Sequence, residues 1–171
     1  MAIDPDHLPD RALFDTGVLI RALRQNKDKD SLACCELFDA MLKEKKTVLV
    51  ATPTLAEIYR GLPSGTKPPP KPPHIAGVEI IAFDERAAEV VGTRLPMNVL
   101  KSTKTDSGTP LSYLKADAMI IACGVVGQAT CVVALDEDHH VLAGAVGLDV
   151  RKPMSFEKAQ QEQKLPPPEA K

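Results

Sequence analysis

An alternation constrains this chain more than any other feature. Short apolar runs at residues 12–14, 47–51, 78–83, 130–135 and 148–150 are separated by stretches whose apolar residues recur with helical spacing. Strands joined through helices pair in parallel, with the helices packed over both faces of the sheet. The expected class is therefore α/β, with a mostly parallel central sheet flanked by helices. The helical stretches are 17–24, 31–45, 52 to about 61, 85–95, 115–126 and 136–143. Thr52 reads as an N-cap with Pro53 at the first helical position, and Asp84 as the cap of the helix that follows it. Residues 115–126 are apolar enough to be buried on most sides, whereas 101–110 reads as a polar loop.

With 171 residues and 44% hydrophobic content, the chain can bury one core. Residues 1–153 are expected to form a single domain, and 154–171, rich in Gln, Lys and Pro, a flexible tail. Pro63, Ser64, Gly65 and the prolines between Pro68 and Pro73 make 63–73 an extended surface loop. It is no domain linker, because neither flank could fold alone. There is no internal repeat.

Aromatic residues make up 4% of the chain and Trp is absent, which disfavours a module that binds nucleic acid by stacking bases. A net charge of −2 gives no global attraction to a polyanion. Three local basic clusters (Lys43, Lys45 and Lys46; Lys67 and Lys71; Arg94, Lys101 and Lys104) read as solvated faces. Cys34, Cys35, Cys123 and Cys131 lie in apolar surroundings without C-x-x-C spacing, as reduced, buried thiols do. The first eleven residues lack the apolar core of a signal peptide, and the apolar stretch 116–126 is broken by Asp117 and too short to span a membrane. A soluble cytoplasmic protein is the expectation.

In a parallel α/β sheet, ligands collect beyond the carboxyl ends of the strands. Asp15 ends the first strand, Glu57 lies in the helix after the second, Asp117 opens the apolar helix, and Asp136 ends the fourth strand. Each has an ordinary structural role open to it. Asp15 can be an N-cap, Glu57 part of a capping box or a partner of Arg60, Asp117 a charge at a helix N-terminus, and Asp136 with Asp138 turn or cap residues. Together they converge on one side of the sheet. Carboxylates crowded within a few ångströms repel unless cations neutralise them, and hard Mg2+ or Mn2+ ions suit oxygen donors. Such ions can acidify a water and stabilise the leaving oxygen of a phosphodiester. His139 and His140 read as a solvated turn, since adjacent histidines point in divergent directions.

Four segments, in this order, resemble the PIN-domain family, and within it the VapC-type toxin ribonucleases of toxin–antitoxin pairs. They are Leu13-Phe14-Asp15-Thr16-Gly17-Val18-Leu19-Ile20, Thr52-Pro53-Thr54-Leu55-Ala56-Glu57-Ile58-Tyr59-Arg60-Gly61, Ala116-Asp117-Ala118-Met119-Ile120-Ile121-Ala122 and Val132-Val133-Ala134-Leu135-Asp136-Glu137-Asp138. The resemblance implies a three-layer PIN-like fold and a metal-dependent endoribonuclease using Mg2+ or Mn2+. It implies Asp15, Glu57, Asp117 and Asp136 as the catalytic, metal-binding acids, Asp138 as a neighbouring candidate for the fourth position, and Thr16 as a hydroxyl supporting Asp15. It further implies an RNA substrate, a cognate antitoxin and a homodimer. Two positions depart from the family's habit: Ala134, where Thr or Ser is usual, and His139, where an aromatic is usual.

The competing reading is a PIN-like module that binds RNA or protein without turnover. An aspartyl phosphoacceptor fits less well. A haloacid-dehalogenase-type site needs a second Asp two residues after Asp15, where Gly17 stands, and the paired acids and late Lys of a receiver domain are absent.

Overall fold

The computed structural model describes residues 3–24, 27–63, 75–136 and 139–157. Its strands are β1 (Arg11–Phe14), β2 (Thr47–Ala51), β3 (Val78–Ile81), β4 (Cys131–Val133) and β5 (Asp149–Arg151). The helices are α1 (Thr16–Arg24), α2 (Lys29–Lys43), α3 (Thr52–Arg60), α4 (Glu85–Arg94), α5 (Met97–Ser107), α6 (Leu111–Val126) and α7 (His139–Ala145). All neighbouring strands are parallel, in the order β3-β2-β1-β4-β5.

The central strands are buried on both faces, which is why they read as apolar runs. Leu13, Leu49, Ala51, Val132 and Ala134 pack beneath α4, α5, α6 and α7. Ala12, Phe14, Val48, Val50 and Val133 meet α1 and α2 on the other side. Three layers result, as the alternation predicts. α6 crosses closest to the sheet at Gly124, where an added Cβ would stand 2.8 Å from Leu13 Cδ2.

Local chemistry sets several helix starts. Asp28 caps α2 by accepting from the Ser31 amide at 3.0 Å, and Asp84 caps α4 through the Arg86 and Ala87 amides, as expected. Thr52 is not a cap. Ala51 holds that position, and the Thr52 hydroxyl accepts the Phe83 amide at 2.9 Å, tying α3 to the exit of β3.

Three further expectations need correction. Residues 101–107, read as loop, belong to α5, because Leu100 and Thr103 are buried and the Ser102 and Thr103 hydroxyls donate back to the Val99 carbonyl. Packing against α6 and α7 outweighs the weak helix propensity of Ser and Thr. Next, α6 begins at Leu111 after Pro110, four residues before the apolar pattern starts. Last, residues 154–157, placed in the tail, are packed. Phe156 is 1% exposed, its carbonyl accepts the Asp4 amide at 2.8 Å, and Ile3 bridges Glu157. The rest of the tail, 158–171, and the proline-rich loop from 64 onward lie outside the described residues. No helix of the described residues is long and apolar enough to cross a membrane.

Gly124→Val is expected to cost about 1–3 kcal/mol through overpacking against Leu13, read as a lower urea midpoint with an unchanged m-value. An unchanged midpoint would mean that α6 does not sit this close to β1. Burial pushes the Cys34 and Cys131 thiols up to about 11 and Cys123 to about 12. Those three should therefore resist a disulfide reagent at pH 8 until urea unfolds the chain.

Candidate metal centre

Strand order decides where the site lies. From β1 the chain moves to β2 and β3 on one side, then returns to place β4 and β5 on the other. The crevice beyond the carboxyl ends of β1 and β4 is therefore a topological switch point, where connecting helices diverge and leave room for a ligand. Asp15 stands at its floor. Its amide donates to the Val133 carbonyl of β4 at 3.0 Å, continuing the sheet by one bond.

Asp15 is 6% exposed. Its carbonyl accepts the Leu19 amide and its Oδ2 accepts the Gly17 amide at 3.0 Å, so it does cap α1. The same carboxylate faces the cleft through Oδ1. Glu57, on α3, accepts the Thr16 hydroxyl, and the Thr16 and Thr54 hydroxyls are 3.3 Å apart. Thr16 was expected to brace Asp15 through its hydroxyl; that hydroxyl instead holds Glu57, and only its backbone amide serves Asp15. Asp117 lies nearly two turns inside α6, so it neither caps that helix nor sits at its N-terminus. Asp136, three residues past β4, is exposed and lines the same cleft. Asp138 lies outside the described residues.

The cleft, about 570 Å³, is lined by Asp15, Thr16, Glu57, Asp117 and Asp136, together with Arg60, Thr109, Tyr113 and His139. Arg60 supplies a permanent positive charge; of the basic clusters, neither Lys43, Lys45 and Lys46 nor Arg94, Lys101 and Lys104 lines the cleft, and Lys67 and Lys71 lie outside the described residues. Tyr113, 64% exposed and one turn before Asp117 on α6, presents an aromatic face at the rim.

His139 was read as part of a solvated turn, and the structure overturns this. Only His140 is exposed; the His139 side chain is 5% exposed. His139, Leu142 and Ala143 of α7, with Val146 just past its end, follow the i, i+3, i+4, i+7 spacing of one buried face, a signal present in the sequence. His139 Nε2 donates to Asp15 Oδ1 at 3.2 Å and stands 3.9 Å from Asp117 Oδ1.

These neighbours set one another's protonation. Burial pushes the Asp15 carboxyl up, but the His139 hydrogen bond and charge and the Gly17 and Thr16 amides outweigh it, so its pKa is lowered. Burial pushes His139 down, but the Asp15 hydrogen bond and charge, then the Asp117 and Asp136 charges, raise it overall. Among the described residues, the Nδ1 of His139 is buried without a hydrogen-bond partner.

Asp15, Asp117 and His139 each offer one ligand atom, all within 4.8 Å of one another. Crowded carboxylates that need a countercharge, and donors converging on one point, suit a divalent metal ion. The cluster can hold one.

No family profile matches the chain, and no curated protein does. Among solved structures it is similar to a chain in the crystal structure of VapBC2 from Rickettsia felis bound to a DNA fragment from their promoter. The identity is 16% and the TM-score 0.52, over 83% of this chain and 98% of that one. The two share a fold, and the five-stranded parallel sheet between helical layers is PIN-like.

The sign of the pH dependence follows from the two shifts. A lowered Asp15 pKa stabilises the fold above the ordinary carboxylate range and is lost in acid. A raised His139 pKa stabilises below about pH 6.5 and is lost as pH rises through the raised value. In EDTA, urea unfolding of wild type should therefore show its largest advantage over His139→Gln between about pH 4 and pH 6.5. A pH-independent difference would show that the pair is not ionised.

Proposed function

We propose that this protein is a divalent-metal-dependent endoribonuclease acting as the toxin of a toxin–antitoxin pair. The observation that carries the reading is the meeting of Asp15, Glu57, Asp117 and Asp136 in one cleft at the switch point of a PIN-like sheet. Four acids with so little countercharge suit phosphodiester hydrolysis better than binding of a polyanion by attraction alone.

In this reading Asp15 and Asp117 bind the ion, Glu57 is held in place by Thr16, and Asp136 closes the outer side, with Asp138 as its neighbour. A bound Mg2+ or Mn2+ would neutralise the scissile phosphate and lower the pKa of a water. Arg60 offers a contact to a flanking phosphate, and Tyr113 a stacking face for an unpaired base. RNA rather than DNA follows from the resemblance to toxin ribonucleases, since the carboxylates alone do not distinguish the two.

An antitoxin partner is supported by the same resemblance and by the likeness to a VapBC chain. It is also consistent with an apolar groove of about 210 Å³ whose lining includes Leu19, Leu23, Leu55, Ile58 and Ile80. Homodimerisation rests on the resemblance alone. One observation favours the non-catalytic alternative: both oxygens of Asp15 already accept hydrogen bonds, from His139 and from Gly17.

Cleavage of a labelled single-stranded RNA panel by the full chain, freed of any partner, separates the two readings. Cleavage is expected with Mg2+ or Mn2+, none with EDTA, and a loss of about 10²-fold or more in Asp15→Asn and in Asp117→Asn. Folded wild type that cleaves nothing with either metal would favour the binding module.

A further inference from the structure

His139 is placed where a hydrogen-bonded structural histidine gains little. Its ring is buried on the face of α7 that carries Leu142 and Ala143, and among the described residues Nδ1 has no hydrogen-bond partner. Among the described residues, its hydrogen-bond and ion-pair partners lie on the Nε2 side: Asp15 Oδ1 at 3.2 Å and Asp117 Oδ1 at 3.9 Å. A buried imidazole aimed through Nε2 at two crowded carboxylates calls for a reason on that side of the ring.

The distances supply one. Donor atoms that share an ion at about 2.0–2.2 Å stand roughly 3–4 Å from one another. The His139 nitrogen is at that separation from both carboxylates. The three donors come from the exit of β1, the second turn of α6 and the first turn of α7, so three separate elements converge on one point.

From this geometry we infer that His139 Nε2 is a direct ligand of the divalent ion held by Asp15 and Asp117, and that the centre therefore selects a transition-metal ion such as Mn2+ over Mg2+. Mg2+ takes oxygen donors and keeps its waters, whereas imidazole nitrogen favours first-row transition ions. The residue sits where family members usually carry an aromatic, so the selectivity belongs to this chain's own sequence. Ligation releases the Nε2 proton to solvent and leaves Nδ1–H, which has no acceptor among the described residues. The histidine is thus an unbraced ligand, and its contribution to affinity is smaller than that of one held by a carboxylate or carbonyl.

The inference rests on the metal reading proposed above, and Mn2+ paramagnetic resonance of the full chain tests the two separately. Wild type should bind Mn2+ and show a directly coordinated nitrogen in its electron spin-echo modulation. That signal should be lost in His139→Phe and His139→Gln and kept in His140→Gln. Mn2+ affinity should fall about tenfold or more in the His139 variants, with Mg2+ affinity, read by competition, changing much less.

Bound Mn2+ without nitrogen coupling in wild type overturns the ligand assignment and leaves the metal centre standing. Coupling that survives in a folded His139 variant, or vanishes in His140→Gln, overturns it as well. No Mn2+ binding by folded wild type removes the metal reading and the inference together. Should both His139 variants fail to fold, the wild-type coupling and the His140→Gln control still decide.

Discussion

The reversal of strand order between β1 and β4 is the constraint on which the rest depends. One backbone hydrogen bond, from the Asp15 amide to the Val133 carbonyl, carries the parallel pairing one residue past β1 and delivers that side chain to the crevice. Helices leave in opposite directions on either side, so the crevice stays open while everything beneath it is packed. α3 and α6 wall it, which brings Glu57 and Asp117 within reach of an acid more than forty residues away. Gly124, by letting α6 lie against Leu13, sets how deep that wall sits.

Charge balance is the second determinant. A carboxylate as buried as Asp15 survives only with strong partners, and it has two backbone amides and an imidazole. Glu57 draws on the Thr16 hydroxyl, and Asp136 stays in contact with solvent. The site thus has a drier inner half, buried Asp15 and His139 with partly exposed Asp117, and a wet outer half at Asp136. In the proposed reading the ion would sit in the inner half, where coordination would replace hydrogen bonds. A nucleic acid would approach from the wet half, past Arg60 and Tyr113.

Fold likeness and site chemistry carry different weights here. A 16% identical neighbour shows the fold alone, and nothing about the reaction. The functional reading stands on the converging acids and on a motif order that resembles toxin ribonucleases. Its departures from that family are informative too. Ala134 is fully packed under α6 and α7 and needs no hydroxyl to be stable, whereas His139 changes the donor set of the site itself.

Local sequence patterns determined much of this protein: the α/β class, the parallel sheet, the burial of Cys34, Cys123 and Cys131, though not of half-buried Cys35, and the four acids beyond the strands. Those features follow from periodicity and side-chain chemistry, which are properties of short segments. Tertiary structure alone decided the others. It made a helix of 101–107, because burial of Leu100 and Thr103 exceeds a weak local preference. It placed Asp117 two turns inside α6, because Pro110 rather than the apolar pattern sets that helix's start. And it set His139 against Asp15: the apolar spacing marks which face of α7 is buried, but what that face meets depends on residues more than a hundred positions away.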